Sequence, residues 1–321
     1  MDARDACAAK GCAPEPVLPL ALRLEHALKE SGLCLDRPWL LRRVLAGGLV
    51  RTVLLRFLRL KFSPLVLPRV RALPLPLEER AELFTQAISL INARETYKTT
   101  GQGRTRLVDA AVLRRTGEFP HLRLLEVGVS DGVSCLELLA ALPPQAEVTL
   151  TDRHPAFTRR GLGPVSLILD GCGRVLGLKL FCLYLNLPLS LRLATGRGQR
   201  IETVNPLLTE SGPLLAEGMP QRAIQAFDVC RDTSPVPFQI IKCANVFNRK
   251  YFADDAIRSA VANLGRSLAP DGYLCISQNN ERYAGGEAYF VLHKQNGRLA
   301  VVEEQGGHEA LGLFAVRPET G

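Results

Sequence analysis

The sequence predicts an α/β fold in which parallel strands alternate with helices, and three segments indicate it. An apolar run ending at Val127 leads through a glycine-bearing turn into a stretch whose apolar residues recur at helical spacing. The run FQIIKCA at 238–244 precedes a helix from Asp254 and a further strand, YLCIS. Asn296-Gly297 then separates two apolar runs, which is a strong hairpin signal. Together these segments predict a parallel sheet that ends in two antiparallel strands.

Length and composition favour one α/β core with a substantial extension. The chain has 321 residues and is 47% hydrophobic, which is ample for a packed core. Its nine cysteines form no CxxC pair and no Cys/His metal spacing, so we expect buried thiols in a reducing compartment and no metal site. We find no secretory signal and no window of about 18 uninterrupted apolar residues. The sequence therefore predicts a cytoplasmic protein, soluble or peripheral at a membrane.

The N-terminal part of the chain is strongly basic. The net charge is +8, and no Asp or Glu occurs between Arg37 and Leu77. Residues 39–62 have the pattern of a leucine-rich basic helix interrupted at Gly47-Gly48. We expect this helix to pack its leucines on the protein and to solvate its arginines. Contact with an anionic membrane is the alternative, and nucleic acid is the least favoured partner because few aromatic residues are interleaved.

Prolines mark the expected domain boundary. A loose tail at 1–16 and a helix at 17–32 precede the basic helix. Four prolines between Ser63 and Leu77 block a regular helix, so we predict a linker there. A helix from Glu78 and a second helix after a Gly-rich turn then lead into the first strand. The predicted domains are a helical, basic extension with this linker at 1–77 and an α/β domain at 78–321.

An insertion at about 156–205 interrupts the α/β rhythm. Two apolar runs, VSLIL and RVLGLKLFCLYLNLPLSL, flank a turn at Asp170-Gly171, which predicts a hairpin. The glycines of GCGRVLG fit that turn better than a phosphate site, because no polar-faced helix follows them. The many leucines here are also compatible with an apolar lid or a lipophilic substrate wall.

The turn after the first strand combines glycines with acids. It contains Glu126, Gly128, Ser130, Asp131 and Gly132. Glycines at a strand-to-helix junction let the backbone approach a ligand closely. Carboxylates at the same place repel phosphate and suit a ligand with an ammonium group and hydroxyls. The turn therefore differs from the GxGxxG fingerprint that holds a pyrophosphate.

The segment Glu126-Val-Gly128-Val-Ser130-Asp131-Gly132 resembles the first motif of class I S-adenosylmethionine-dependent methyltransferases, acid-x-Gly-x-Gly-x-Gly, with Ser130 at the middle glycine. The resemblance implies S-adenosyl-L-methionine as cofactor and a Rossmann-like seven-stranded sheet of order 3-2-1-4-5-7-6. It also implies that Glu126 and Gly128 lie near the methionine amine. An ordinary αβ turn is the alternative interpretation of the same residues.

Further candidates follow along the chain. Asp152 ends the second predicted strand, where Rossmann-like folds hold ribose hydroxyls by a carboxylate; a turn-forming Asp is the alternative. By the resemblance, Asp228 after the third strand would accept the adenine amino group, with Asp232 as competitor. Asn245 after the fourth strand would lie beside the transferred methyl group. Arg104 or Arg106 would meet the methionine carboxylate, although a solvated arginine is the default.

The segment from 223 to 277 strengthens the resemblance. Its strand, the polar run NVFNRKYF, the helix and LAPDGYLCIS are similar to the chemotaxis-receptor glutamate methyltransferases, as is the region from 122 to 152. The pattern is shared widely among class I methyltransferases, so it supports the superfamily better than any one substrate. The two antiparallel strands after the fifth favour methyl transfer over hydride transfer.

The resemblance implies methyl transfer to an unidentified acceptor, either a small molecule or a lipophilic one. For a catalytic base the sequence offers His154 and Tyr283 as weak candidates, with Glu281 and His293 behind them, and none lies in a decisive motif. Two alternatives remain open. One is a non-catalytic scaffold with the same fold, and the other is a nicotinamide-dependent oxidoreductase.

Overall fold

A computed structural model shows how these segments fold. The structure describes most of the chain, namely residues 31–33, 37–48, 53, 62–93, 96–98, 100–161, 164–171, 173–187, 193, 198–210, 224–249 and 252–314. The predicted tail, most of the helix predicted at 17–32 and half of the basic helix predicted at 39–62 lie outside these residues. The mixed α/β character predicted from the sequence is confirmed.

The described chain contains helices and strands throughout. The helices are α1 Pro38–Leu45, α2 Val66–Arg71, α3 Leu77–Ser89, α4 Arg106–Thr116, α5 Leu136–Ala141, α6 Pro206–Glu210 and α7 Asp254–Ser267. The strands are β1 Gly32–Leu33, β2 Asn92–Ala93, β3 Thr96–Tyr97, β4 Arg123–Val127, β5 Glu147–Asp152, β6 Ala156–Arg160, β7 Val165–Leu169, β8 Val175–Leu180, β9 Leu183–Asn186, β10 Gln199–Glu202, β11 Gln225–Ala226, β12 Phe238–Ala244, β13 Leu268–Asn279, β14 Glu287–Gln295 and β15 Arg298–Gln305.

The chain forms two compact units. Unit 1 combines Met1–Thr99 with Ala156–Thr203, and unit 2 combines Thr100–Pro155 with Val204–Gly321. The second part of unit 1 is the segment that interrupts the α/β rhythm in the sequence. The boundary predicted between residues 77 and 78 stays a prediction.

Unit 2 contains a seven-stranded sheet in the order β11-β5-β4-β12-β13-β14-β15. Its first five strands pair in parallel, so their carboxyl ends meet at one edge. Numbered along the chain, these five strands have the order 3-2-1-4-5. Two apolar clusters pack the sheet, and both include residues of β4 and β12. Such burial explains why β4 and β12 have apolar residues on both faces.

The last two strands correct the predicted order. Because β14 pairs with β13 and β15 pairs with β14, the order is 3-2-1-4-5-6-7 and not 3-2-1-4-5-7-6. Seven residues, 280–286, connect β13 to β14. This connection is short, and β14 folds back to pair antiparallel with β13 directly. The predicted turn Asn296-Gly297 joins β14 to β15 with positive φ at both residues.

The charges at the ends of helix α7 and its apolar face explain why it forms and packs against this sheet. Asp254 and Asp255 lie in its first turn and Arg266 in its last, which suits the helix dipole. Ile257, Val261 and Leu264 recur on one face and are buried in one of the two clusters.

Unit 1 contains a six-stranded antiparallel sheet in the order β1-β9-β8-β7-β6-β10. Its core joins the apolar faces of α1, α2 and α3 to one face of the sheet. The predicted hairpin with its turn at Asp170-Gly171 is present as β7 and β8, and the insertion supplies three further strands, β6, β9 and β10. The long apolar run divides at a two-residue turn, Phe181-Cys182, and the polar segment AFTRR forms a strand as well.

Part of the predicted linker is helical. Val66–Arg71 forms α2, and Val66, Leu67 and Val70 are buried. Pro68 is tolerated because it lies in the first turn, where a backbone N–H has no partner inside the helix. The proline spacing therefore did not exclude a helix.

The described part of the basic helix is α1. Leu41 and Val44 are buried in unit 1, whereas Trp39, Arg42 and Arg43 are exposed. This arrangement is the one expected of a structural helix, and membrane contact through 39–62 stays a prediction. Among the described residues, no helix has the length and apolar character needed to cross a bilayer.

Candidate functional site

The glycine-bearing turn lies at the carboxyl edge of the unit 2 sheet, directly after β4. Gly128 and Gly132 have φ values of 75° and 86°, which side chains other than glycine rarely adopt. A Cβ atom at Gly128 would lie 2.4 Å from Val246 Cγ2, and one at Gly132 would lie 2.2 Å from Leu208 Cδ1. Both glycines are therefore required for the turn and for close packing by Val246 and Leu208.

Asp152 fastens this turn to the second strand. The Ser130 amide donates a hydrogen bond of 2.9 Å to Asp152 Oδ2, and the His154 amide donates one of 2.7 Å to Oδ1. The Gly128 amide also donates to the Thr151 carbonyl at 2.8 Å. These contacts hold the Asp152 carboxylate against the backbone of the turn.

Asp131 has an internal role. Its Oδ1 accepts from the Val133 amide at 3.1 Å, and its Oδ2 accepts from Asn205 Nδ2 at 2.9 Å. The carboxylate is fully buried. Asp131 therefore closes the turn onto the segment after residue 204, and it is one of the two acids that the sequence placed beside a ligand.

Glu126 belongs to a buried charge cluster that the sequence analysis missed. Lys242 Nζ lies 2.9 Å from Glu126 Oε1 and 2.5 Å from Asp109 Oδ1. It also donates to Thr105 Oγ1 at 3.3 Å, and Thr105 in turn donates to Asp109 Oδ2 at 2.9 Å. The side chain of Lys242 is 1% exposed. The cluster ties β4 and β12 to the start of α4.

The charges in this cluster shift one another's titration. Burial raises the pKa of Glu126 to about 7, although Lys242 opposes the shift. Burial lowers the pKa of Lys242, but the carboxylates of Glu126 and Asp109 outweigh it and hold the pKa above its ordinary value. A lysine inside the apolar run FQIIKCA was the available signal, because an unpaired buried ammonium is too costly to occur.

Asp228 follows β11 at the same edge. Its Oδ2 lies 3.4 Å from Arg153 Nε and 4.0 Å from Arg231 Nε, and its Oδ1 accepts from the Cys230 amide at 3.0 Å. The Asp228 amide donates to Asp232 Oδ2 at 2.8 Å. The two acids that competed for the adenine contact thus lie together, and Asp228 pairs with Arg153 and Arg231.

Asn245 forms a reciprocal amide pair with Asn279 at the ends of β12 and β13. Asn245 Nδ2 donates to Asn279 Oδ1 at 2.7 Å, and the backbone N–H of Asn279 donates to Asn245 Oδ1 at 2.7 Å. Asn279 Nδ2 also donates to the Arg104 carbonyl at 2.6 Å. Asn279 therefore links the segment before α4 to the strand ends, and no sequence pattern indicated its role.

Arg104 differs from the other arginine considered for this position. Arg106 pairs with Glu137 at 3.6 Å on the exposed surface. The Arg104 side chain is half-buried, and burial lowers the pKa of its guanidinium. In the part of the chain that the structure describes, no acceptor contacts this guanidinium. A desolvated arginine without an anion is a suitable group to bind a carboxylate.

The candidate bases have structural partners. The Tyr283 hydroxyl donates to Gln278 Oε1 at 3.1 Å and accepts from Arg282 at 3.0 Å and from the Glu309 amide at 3.3 Å. His154 is buried beside Asp152. His293 stacks on Tyr273 with ring centroids 4.4 Å apart, and Tyr273 lies in the middle of β13, away from Asn279 at the carboxyl end. A catalytic role for His154 or Tyr283 stays a prediction.

Comparisons with known proteins give structural matches alone. No protein-family model and no curated protein matches the sequence. Matching structures include the N-methyltransferase NodS from Bradyrhizobium japonicum WM9 bound to S-adenosyl-L-homocysteine, at 15% identity and a TM-score of 0.31, covering 60% of this chain and 72% of that one.

Two further matches are methyltransferases. The mitomycin 7-O-methyltransferase MmcR shows 16% identity and a TM-score of 0.34, with 77% of this chain and 52% of that one covered. A SAM-bound amino pentose methyltransferase from Micromonospora echinaspora shows 16% identity and a TM-score of 0.28, with 64% and 75% covered. These TM-scores are low, so the fold of unit 2 is defined by its own strand pairing.

Proposed function

We propose that unit 2 is an S-adenosylmethionine-dependent methyltransferase domain. The observation that carries the proposal is the bond between the Ser130 amide and Asp152, which holds the acid of the second strand against the glycine-bearing turn. Asp228, after the neighbouring strand β11, extends the acids along the same edge. Hydroxyl and amino groups suit these acceptors, and a pyrophosphate would be repelled by them.

The donors and acceptors present fit the parts of this cofactor. Asp152 would accept ribose hydroxyls, and Asp228 would accept the adenine amino group. Arg104 would bind the methionine carboxylate, since its guanidinium is half-buried and lacks an anion among the described residues. When bound, the cofactor would supply an electrophilic methyl group on a sulfonium.

Glu126 differs from these residues because its carboxylate already has a buried charged partner. Lys242 already donates to its Oε1, so a methionine amine would share this carboxylate with the lysine. We therefore assign Glu126 first to holding Lys242 and, through it, the start of α4. Gly128 keeps its proposed role, because its backbone conformation allows close approach to a ligand.

Methyl transfer requires alignment more than it requires covalent help. The protein has to hold the acceptor in line with the methyl group and to exclude water. Asn245 and Asn279 lock the ends of β12 and β13, beside which the methyl group would lie. The acceptor would be a small or lipophilic molecule, and a base would be needed if the attacking group is protonated.

A non-catalytic scaffold is the second candidate, and two observations favour it. Lys242 already forms an ion pair with Glu126, the acid of the first motif, and the turn from Val129 to Val133 is buried. In a scaffold these features would stabilise the fold and no cofactor would bind. Binding measurements separate the two candidates.

The test is calorimetric titration of the full chain with S-adenosylmethionine, S-adenosylhomocysteine and NADH. We expect the two sulfur nucleosides to bind and NADH not to bind. Asp228→Asn removes a charged acceptor and should weaken binding about tenfold to a hundredfold. The matched control is Asp255→Asn on the exposed face of α7, which should bind as the wild type does. Absence of binding to the wild type would support the scaffold.

A further inference from the structure

The sheet of unit 1 carries an exposed apolar row that its strand register defines. Val165 lies opposite Leu180, Leu180 opposite Leu183, and Leu183 opposite Leu33. Residues directly opposite in antiparallel strands point to the same face, so these four side chains form one row across β7, β8, β9 and β1. Val165 is 43% exposed, Leu183 37% and Leu33 36%. We call these four residues the apolar row.

The same face continues inwards with a second set of leucines. Leu167, Leu178 and Leu185 lie opposite one another and are half-buried. The other face of these strands carries Ile168 and Tyr184, which are buried in the core of unit 1. A sheet with one packed face normally has polar residues on the other. Here the outward face is apolar, which marks an interaction surface.

Phe181 extends the apolar row at the turn between β8 and β9. It is 72% exposed, and its amide donates to the Pro164 carbonyl at 2.7 Å. Its φ of 49° is one that bulky side chains rarely adopt, whereas Gly or Asn adopts it readily. Local folding therefore does not explain a phenylalanine at this position, but contact with an apolar phase outside the chain does.

Charge selects the partner of this surface. The described residues of unit 1 include twelve arginines and lysines but five acids. One of these basic residues, Arg160, lies opposite Leu167 in the register and so flanks the leucines on the same face. A second copy of the chain would bring the same positive charge to the contact and be repelled. An anionic lipid surface would be attracted and would also accept the apolar side chains.

We propose that unit 1 docks on an anionic lipid bilayer by inserting Phe181 and the apolar row, with Arg160 at the headgroups. This surface lies on the strands of unit 1 and does not include α1. The inference does not depend on methyl transfer in unit 2, so either can fail without the other.

The test is flotation of the full chain with vesicles of phosphatidylcholine alone and of equal parts phosphatidylcholine and phosphatidylglycerol. We expect binding to the mixed vesicles that weakens as salt is added. Phe181→Gly should lower the partition coefficient about tenfold, because it removes one exposed aromatic side chain from the membrane contact. The same variant should keep or raise the melting temperature, since glycine suits the backbone of the turn.

The control is Val302→Ser, which removes an exposed apolar side chain from an edge strand of unit 2 and should leave vesicle binding unchanged. Phe181→Trp in a Trp39→Phe background should show blue-shifted fluorescence with the mixed vesicles. Wild-type binding by Phe181→Gly, equal binding to neutral vesicles, or no binding at all would overturn the proposal. So would self-association of the wild type that Phe181→Gly abolishes, because a second copy would then cover the row.

Discussion

Replacing Lys242 by methionine tests the buried charge cluster of unit 2. The ammonium lies 2.9 Å from Glu126 Oε1 and 2.5 Å from Asp109 Oδ1. Methionine has a similar length and no charge, so Lys242→Met leaves two buried carboxylates without their cation. Glu126 would then have to take up a proton, or water would have to enter the site.

The expected cost follows from the distances and the burial. At an effective dielectric constant of about 20, a charge pair near 2.9 Å is worth about 6 kcal/mol. Desolvation of the ammonium cancels part of this attraction, and removing one partner of a buried pair typically costs about 3–5 kcal/mol. We therefore expect Lys242→Met to lower the free energy of unfolding by about 3–5 kcal/mol at pH 8.

The assay is urea denaturation of the full chain followed by circular dichroism, at pH 8 and at pH 6. The loss should be smaller at pH 6, because Glu126 can bind a proton there and shed its uncompensated charge. Adding Glu126→Gln to Lys242→Met should recover part of the loss at pH 8 for the same reason. The control, Arg258→Met in an exposed pair with Asp255, should cost under about 1 kcal/mol. A loss below about 1 kcal/mol for Lys242→Met, or one independent of pH, would refute the reasoning.

Three further predictions concern other residues of unit 2. Gly132→Ala should destabilise the chain by more than Gly285→Ala in urea denaturation, because both glycines have positive φ but a Cβ at Gly285 meets no atom within 4 Å. Equal losses would contradict a steric role for Leu208. Asn279→Ala should speed amide hydrogen exchange at 100–105, because it releases the Arg104 carbonyl; unchanged exchange there would show that other contacts hold the segment. Burial lowers the pKa of His308 to about 4 from its ordinary 6.5, so the unfolded chain binds the proton more tightly and stability should rise with pH between those values. Glu126, with its pKa raised to about 7 from 4.5, acts in the opposite direction. Relative to the wild type, His308→Phe should therefore lose stability as pH rises over this range, and Glu126→Gln should gain it, each by up to about 3 kcal/mol. Denaturation titrations measure both pH profiles, and parallel profiles in the two variants would disprove the assignment.

The parts of the fold that the sequence predicted are those set by local patterns. Each of three elements is predicted by the pattern of a single short segment: the strand ending at Val127, the strand FQIIKCA and the helix from Asp254. The same holds for Asn296-Gly297, whose residues both adopt the left-handed conformation that the hairpin requires. Periodicity and turn chemistry suffice for such elements.

The parts that the sequence did not predict depend on residues far apart in the chain. Strand β1, for example, pairs Gly32 with Tyr184 of β9. In the site, the partners of Lys242 come from α4 and β4, and the partner of Asn245 comes from β13. A sequence motif locates the turn but does not show which of its acids already has an internal partner.

Hydrogen exchange with S-adenosylhomocysteine tests the central proposal most directly. If unit 2 binds this nucleoside at the carboxyl edge of its sheet, amides at 128–132 and 152–154 should exchange more slowly in its presence, whereas those of β15 should not change. Protection absent from both segments at saturating nucleoside, or confined to other regions, would contradict the proposed site.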